Sequence, residues 1–226
     1  MEISMKKKVR SYLAFTTIPY RIVGLILVPA LLFGFSALLL DRLESDGIFL
    51  KMQLVNYLVI YEVLTDHWFL GGCLTEHGKN LEYFRTSKVG TDVLKSALVL
   101  DLMRRFVYCM GFAVMSYGLT GQRMDFVTGL VMYCVTAGVL NGTRYIVTFM
   151  IELAVAISTP LLTMILMWVN YSLMRKAEAG YGTVVFGLLV AVYVVLALAV
   201  SLITLRHMLW QLRYAGKSGD RETSQR

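Results

Sequence analysis

The stretch that leaves this chain fewest choices runs from Thr183 to Leu205, TVVFGLLVAVYVVLALAVSLITL, without one charged residue. An α-helix needs about 20 residues to cross a hydrocarbon core of roughly 30 Å, and this run is long enough. In lipid the backbone has to satisfy its own hydrogen bonds, which a helix does within one segment. The apolar residues are continuous rather than alternating with a period of two, which argues against a β-barrel.

Further runs of the same kind recur along the chain, and the whole is too apolar for a soluble domain of its size. Of 226 residues 57% are hydrophobic and 16% charged, with a mean hydropathy of +0.63. An integral membrane protein follows. The expected fold is all-α: a six-transmembrane-helix bundle in a single domain over 1–210, followed by a basic, disordered tail at 211–226. The spans fall at about 22–40, 52–74, 98–119, 126–140, 145–174 and 183–205. The first apolar run follows a basic start but lacks a small-residue cleavage pattern, so it reads as the first span.

The net charge of +7 does not point to nucleic acid, because most Lys and Arg flank apolar spans. There the anionic leaflet and the positive-inside rule account for them. Cys73, Cys109 and Cys134 are odd in number and widely spaced, which implies neither a disulfide framework nor a zinc site. No metal is expected.

Residues 1–20 pair Lys6, Lys7, Lys8 and Arg10 with Tyr12, Leu13, Phe15 and Ile18, the pattern of an N-terminal interfacial helix on the inner membrane face. Pro19 and Arg21 mark the turn into span one. Placing both termini in the cytoplasm leaves 17 of the 22 Lys and Arg on that side, which supports an N-in, C-in orientation in the cell membrane.

Span two carries Glu62, Asp66 and His67. Glu62 and Asp66 are four apart and share a helix face. With Glu152 in span five they form a candidate polar intramembrane site, since charge at membrane depth is expensive and faces the bundle interior or water. The plainer reading pairs them with a Lys or Arg of a neighbouring helix near the inner end of span two. Asp101, Arg104 and Arg105 stand at the start of span three, Asn141-Gly142 signals a turn, and Pro160 should kink span five.

The long charged segment Gly71–Arg105 separates spans two and three. Its part from Glu76 to Lys88 is amphipathic, with Leu81 and Phe84 three apart among charges. Gly90 should end that helix and Thr91 cap the next. The expected result is a helix, a tight turn and a long helix returning into the membrane.

With Glu76, Gly78, Lys79, Glu82, Tyr83, Phe84, Arg85, Thr86 and Ser87 in this segment, the chain resembles the permease subunits of ABC-2-type ATP-binding-cassette transporters. The likeness extends to six spans, an interfacial N-terminal helix and the N-in orientation. It departs from the family where Lys88-Val89-Gly90 replaces a proline-containing turn, and in the shortness of the last external loop. The resemblance implies a permease of the exporter type, with a coupling helix that docks into a separate ATP-binding subunit. It assigns partner binding to Glu76, Lys79, Glu82, Tyr83, Phe84, Arg85 and Ser87. ATP and Mg would be bound by that partner, with no cofactor in this chain, and a second permease copy or paralogue would complete the path. An ordinary amphipathic helix lying on membrane lipids is the alternative for the same residues.

The chain has no phosphate-binding loop of its own: Gly72 and Gly78 are separated by five residues where the motif needs four, and Asn80 stands where it needs Ser or Thr. One enzymatic alternative remains. Cys73 and His77 are four apart, and an imidazole beside a thiol suggests a membrane-embedded cysteine peptidase acting on signalling peptides. In that class the histidine precedes the cysteine, and here the order is reversed. A non-catalytic immunity or assembly module is a third reading. Nothing in the sequence identifies a substrate.

Overall fold

A computed structural model describes residues 9–10, 12–13, 16, 18–41, 48–75, 88–143, 149–177 and 181–214. The segment 76–87, which holds every residue of the expected coupling helix, lies outside them, as does the tail from 215 onward. Among the described residues the chain is helical apart from short turns, with no strand.

A π-helical segment, Tyr20–Leu27, runs directly into α1, Val28–Asp41. The remaining helices are α2 (Ile48–Thr75), α3 (Lys88–Thr120), α4 (Met124–Thr143), α5 (Phe149–Ala177) and α6 (Gly182–Tyr214). Among the described residues three stretches are long and apolar enough to cross a membrane: Tyr20–Leu40, Ile157–Ala177 and Gly182–Trp210. Large apolar side chains point outward along them, including Leu31, Phe35, Leu161, Ile165, Leu188 and Val195. The interior, by contrast, buries Lys51, Glu62, Asp101, Arg105 and Asp125. A soluble protein arranges these groups the other way round; the chain is a membrane protein.

Pro29 explains the wide turns that precede α1. Proline offers no N–H, and its ring collides with the carbonyl four residues back, here Leu25. The chain shifts to the π pairing, in which the Val28 N–H reaches the Val23 carbonyl. The next partner in that register, for the Gly24 carbonyl, would again be Pro29. Two tyrosines from other helices supply the missing donors. Tyr61 of α2 donates to the Gly24 carbonyl, and Tyr108 of α3 donates to that of Leu25 at 2.7 Å.

α4 is the central helix, packed on α2, α3, α5 and α6. Around it Val55, Val59, Phe112 and Met167 form the main core, while Val127, Val131 and Leu189 form a second cluster toward the α3–α4 turn. A third cluster, at the other end, joins Tyr12 and Tyr20 to Leu94, Ala97, Leu98 and Met208. Tyr12 of the N-terminal segment is therefore buried against the bundle, while Val9 and Arg10 are exposed. Arg21 ties that segment down through the Thr16 hydroxyl and carbonyl, both at 3.0 Å.

Two local expectations are corrected. Gly90 and Thr91 do not separate helices, because α3 already begins at Lys88 and runs through both. The face that follows, Leu94, Ala97 and Leu98, is packed under Tyr12 and Met208, and this packing outweighs a cap worth about 1 kcal/mol. Likewise α4 continues through Asn141-Gly142 to Thr143, so no turn forms at that dipeptide. Asparagine and glycine disfavour a helix by only about 1 kcal/mol or less each, too little to stop one. The turn between α3 and α4 falls between the expected spans 98–119 and 126–140 and is set by Gly121, whose φ of 68° no other described residue shares in sign and whose N–H bonds the Tyr117 carbonyl at 2.8 Å.

α3 and α4 approach closely at Gly129. A Cβ added there would lie 2.7 Å from that of Ala113 and 2.9 Å from the Cys109 carbonyl oxygen. Gly129→Val should lower stability by about 1–3 kcal/mol through overpacking. Thermal unfolding of the purified protein in detergent checks this: Gly129→Val should melt well below the parent. Gly118→Ala, at a site with nothing within 4 Å, should not.

Candidate functional site

Glu62 stands near the middle of α2, Ile48–Thr75, and is paired with an arginine of a neighbouring helix, as the plainer reading of this residue expects. Its carboxylate takes a two-pronged bond from Arg104 of α3, Nη1 to Oε1 at 3.1 Å and Nη2 to Oε2 at 3.0 Å. Asp101, one turn earlier on α3, receives Arg104 Nε at 3.2 Å. Arg105, fully enclosed, lies 3.8 Å from Glu62 and 3.6 Å from Asp101, and donates to the Thr136 carbonyl of α4 at 3.1 Å. The fork geometry makes Arg the residue suited to holding a carboxylate here.

The four groups carry two positive and two negative charges, so the cluster is neutral. In an apolar interior this balance is what makes burial tolerable, since an uncompensated ion there is costly. Aromatic groups close the remaining space. The Arg104 guanidinium lies 5.2 Å from the centre of the Tyr108 ring, which in turn sits 6.4 Å from that of Tyr61. Tyr12 donates to Asp101 at 3.5 Å. Burial, together with the adjacent Asp101 carboxylate, pushes the Tyr12 phenol well above its ordinary value, so it remains a donor.

The network thus joins α2, α3, α4 and the N-terminal segment. Tyr61 and Tyr108 extend it to the π-helical turn before α1.

A second neutral cluster sits at the far end of α2. Lys51 pairs with Asp125 of α4 and donates to Gln122 at 3.2 Å; Ser116 and Thr120 of α3 donate to Asp125 at 2.8 and 2.9 Å. Lys51 and Asp125 each stand one residue before an expected span, 52–74 and 126–140, and the sequence pairs neither with a partner. The available signal was the placement of one cation and one anion at the starts of α2 and α4, where short connections bring helix ends together.

Of the other expected site residues, Asp66 and His67 lie on α2 and Glu152 on α5, with side chains outside the described residues. The same holds for Cys73 of α2, and His77 falls in the segment 76–87. Cys109 and Cys134 are free thiols. Among the described residues no group of three or more His, Cys, Asp or Glu is placed to hold a metal ion. The arrangement is one of ion pairs, able to fix helices together or, if parted, to expose two strong pairs of charges. Compared with protein-family models, curated proteins and solved structures, the chain matches none.

Charge balance makes a test. Glu62→Leu leaves a surplus buried cation and should cost about 3–5 kcal/mol. Adding Arg104→Leu restores neutrality, with Asp101 and Arg105 still facing one another, and should recover most of the loss. Thermal unfolding of both variants in lipid nanodiscs distinguishes this from simple additivity, in which the double variant would be the less stable of the two.

Proposed function

We propose that the chain is a membrane permease subunit of the ABC-2 kind, of six spans with both termini cytoplasmic, driven by a separate ATP-binding subunit. The observation that carries this reading is the Glu62–Arg104 pair. It links α2 and α3, and these two helices end at Thr75 and begin at Lys88, on either side of the segment 76–87 that resembles a coupling helix.

A push delivered on that segment reaches both helices together. Sliding one past the other would break a two-pronged ion pair in a dry interior, so they move as a unit. Arg105 passes the displacement to α4 through Thr136, and the two tyrosines pass it to the π-helical turn before α1. Closure of two ATP-binding subunits would in this way bias the bundle between two arrangements. In the docking helix Tyr83 and Phe84 fill a groove of the partner, Arg85 bonds at its rim, and Glu76, Lys79, Glu82 and Ser87 contribute the polar edge. A second permease copy or paralogue encloses the path, and export is the direction the resemblance favours.

Isolation of the full chain from its native membrane should co-purify an ATP-binding-cassette subunit. Tyr83→Ala combined with Phe84→Ala should reduce that recovery at least tenfold while leaving the chain folded. Equal recovery with the double variant, or no such subunit with the parent, contradicts the proposal.

A further inference from the structure

A lateral groove of about 440 Å³ lies between α3 and α6, with Leu130 and Tyr133 of α4 as its floor. Its rims are Met103, Phe106 and Val107 on α3 and Val194, Leu198 and Leu202 on α6, all exposed. The hydroxyls it contains, of Tyr133 and Ser201, bond each other at 2.6 Å, and Ser201 also donates to the Ala197 carbonyl at 2.6 Å. The groove therefore offers an occupant no unmet hydrogen bond. It suits a purely apolar, flexible chain and not a polar ligand.

What stands at one mouth identifies the occupant more closely. On α3 the rim positions Val99, Met103 and Phe106 are preceded one helical turn earlier by Lys95. On α6 the rim positions Val194, Leu198 and Leu202 are followed one turn later by Arg206. Both cations are exposed, and neither makes an ion pair among the described residues. One turn beyond Arg206 is Trp210, exposed and stacked on His207, where the apolar stretch of α6 ends. Tryptophan at a span end marks the headgroup level. An apolar slot thus runs inward from two cations placed at headgroup depth.

We propose that this groove is a binding site for an anionic phospholipid, with an acyl chain between α3 and α6 and the phosphate against Lys95 and Arg206. The site rests on the membrane embedding of α3 and α6. It does not depend on the ATP-binding partner or on which leaflet faces the cytoplasm.

The test uses the full chain in nanodiscs of mixed phosphatidylglycerol and phosphatidylcholine with identical acyl chains. Lipids retained after transfer to mild detergent are counted by native mass spectrometry. Each cation near an anionic headgroup strengthens association about fivefold, so the parent should retain phosphatidylglycerol over phosphatidylcholine by roughly tenfold or more at low salt. Lys95→Ala with Arg206→Ala should abolish that preference while leaving chain-driven retention of either lipid. Leu198→Trp, at an exposed rim position where a larger side chain fits without disturbing the core, should reduce retention of both. Three results overturn the proposal: no headgroup preference in the parent, a preference that survives loss of both cations, or retention unaffected by Leu198→Trp. A shift from dimer to monomer caused by Leu198→Trp alone, with retention unchanged, would instead assign the groove to a second copy of the chain.

Discussion

Two guanidinium groups and two carboxylates enclosed in an apolar bundle can remain charged only if they stay together. Glu62, Asp101, Arg104 and Arg105 meet that condition by geometry: a two-pronged bond between helices and short contacts along one turn of α3. Their mutual attraction offsets a desolvation penalty of several kcal/mol per ion, and separating any one of them restores that penalty. The rest of the architecture is arranged to avoid such a separation. Tyr12 closes one side of the cluster, Thr136 receives the group facing α4, and the Tyr61 and Tyr108 rings pack between the cluster and the π-helical turn.

The π-helical turn is a second consequence of one residue's chemistry. Pro29 withholds a donor, two carbonyls are left looking for one, and tyrosines of α2 and α3 answer. The same two helices that share the ion pair thereby hold α1. Hydroxyl bonds of this kind matter most where no water competes. The cross-links between α4 and α6, from Tyr133 to Ser201 and from Thr204 to the Ala137 carbonyl, belong to the same pattern. The outer faces need none of this, because lipid asks only that they be apolar.

Element identity was legible in the sequence, because continuous apolar runs leave a helix as the one economical answer. The helix spans overlap those read from the runs, with Thr183–Leu205 lying inside α6. Boundaries were less legible where local signals competed with packing. Gly90-Thr91 and Asn141-Gly142 have turn and cap chemistry worth about 1 kcal/mol or less, and helix continuity outweighed it in both places. For the candidate site, Glu62 could be singled out because a carboxylate inside an apolar run demands a partner. That the partner is Arg104 required the relative height of α2 and α3, which no single helix records. The cluster around Lys51 and Asp125 escaped for the same reason: each residue alone looks like an ordinary charge at a helix end. The roles of Tyr61 and Tyr108 depend on a proline in a different helix.

The proposed permease draws on a bundle whose buried charges join α2, α3 and α4 at one junction. The most direct measurement of that junction is made on the full chain in bilayers. Solid-state nuclear magnetic resonance can read the dipolar coupling between the carboxyl carbon of Glu62 and the guanidinium nitrogens of Arg104. Strong dephasing, matching the N···O separation of 3.0 Å, is the predicted result. A coupling too weak to detect, with the protein otherwise folded, would show that the two side chains do not meet and would contradict the account.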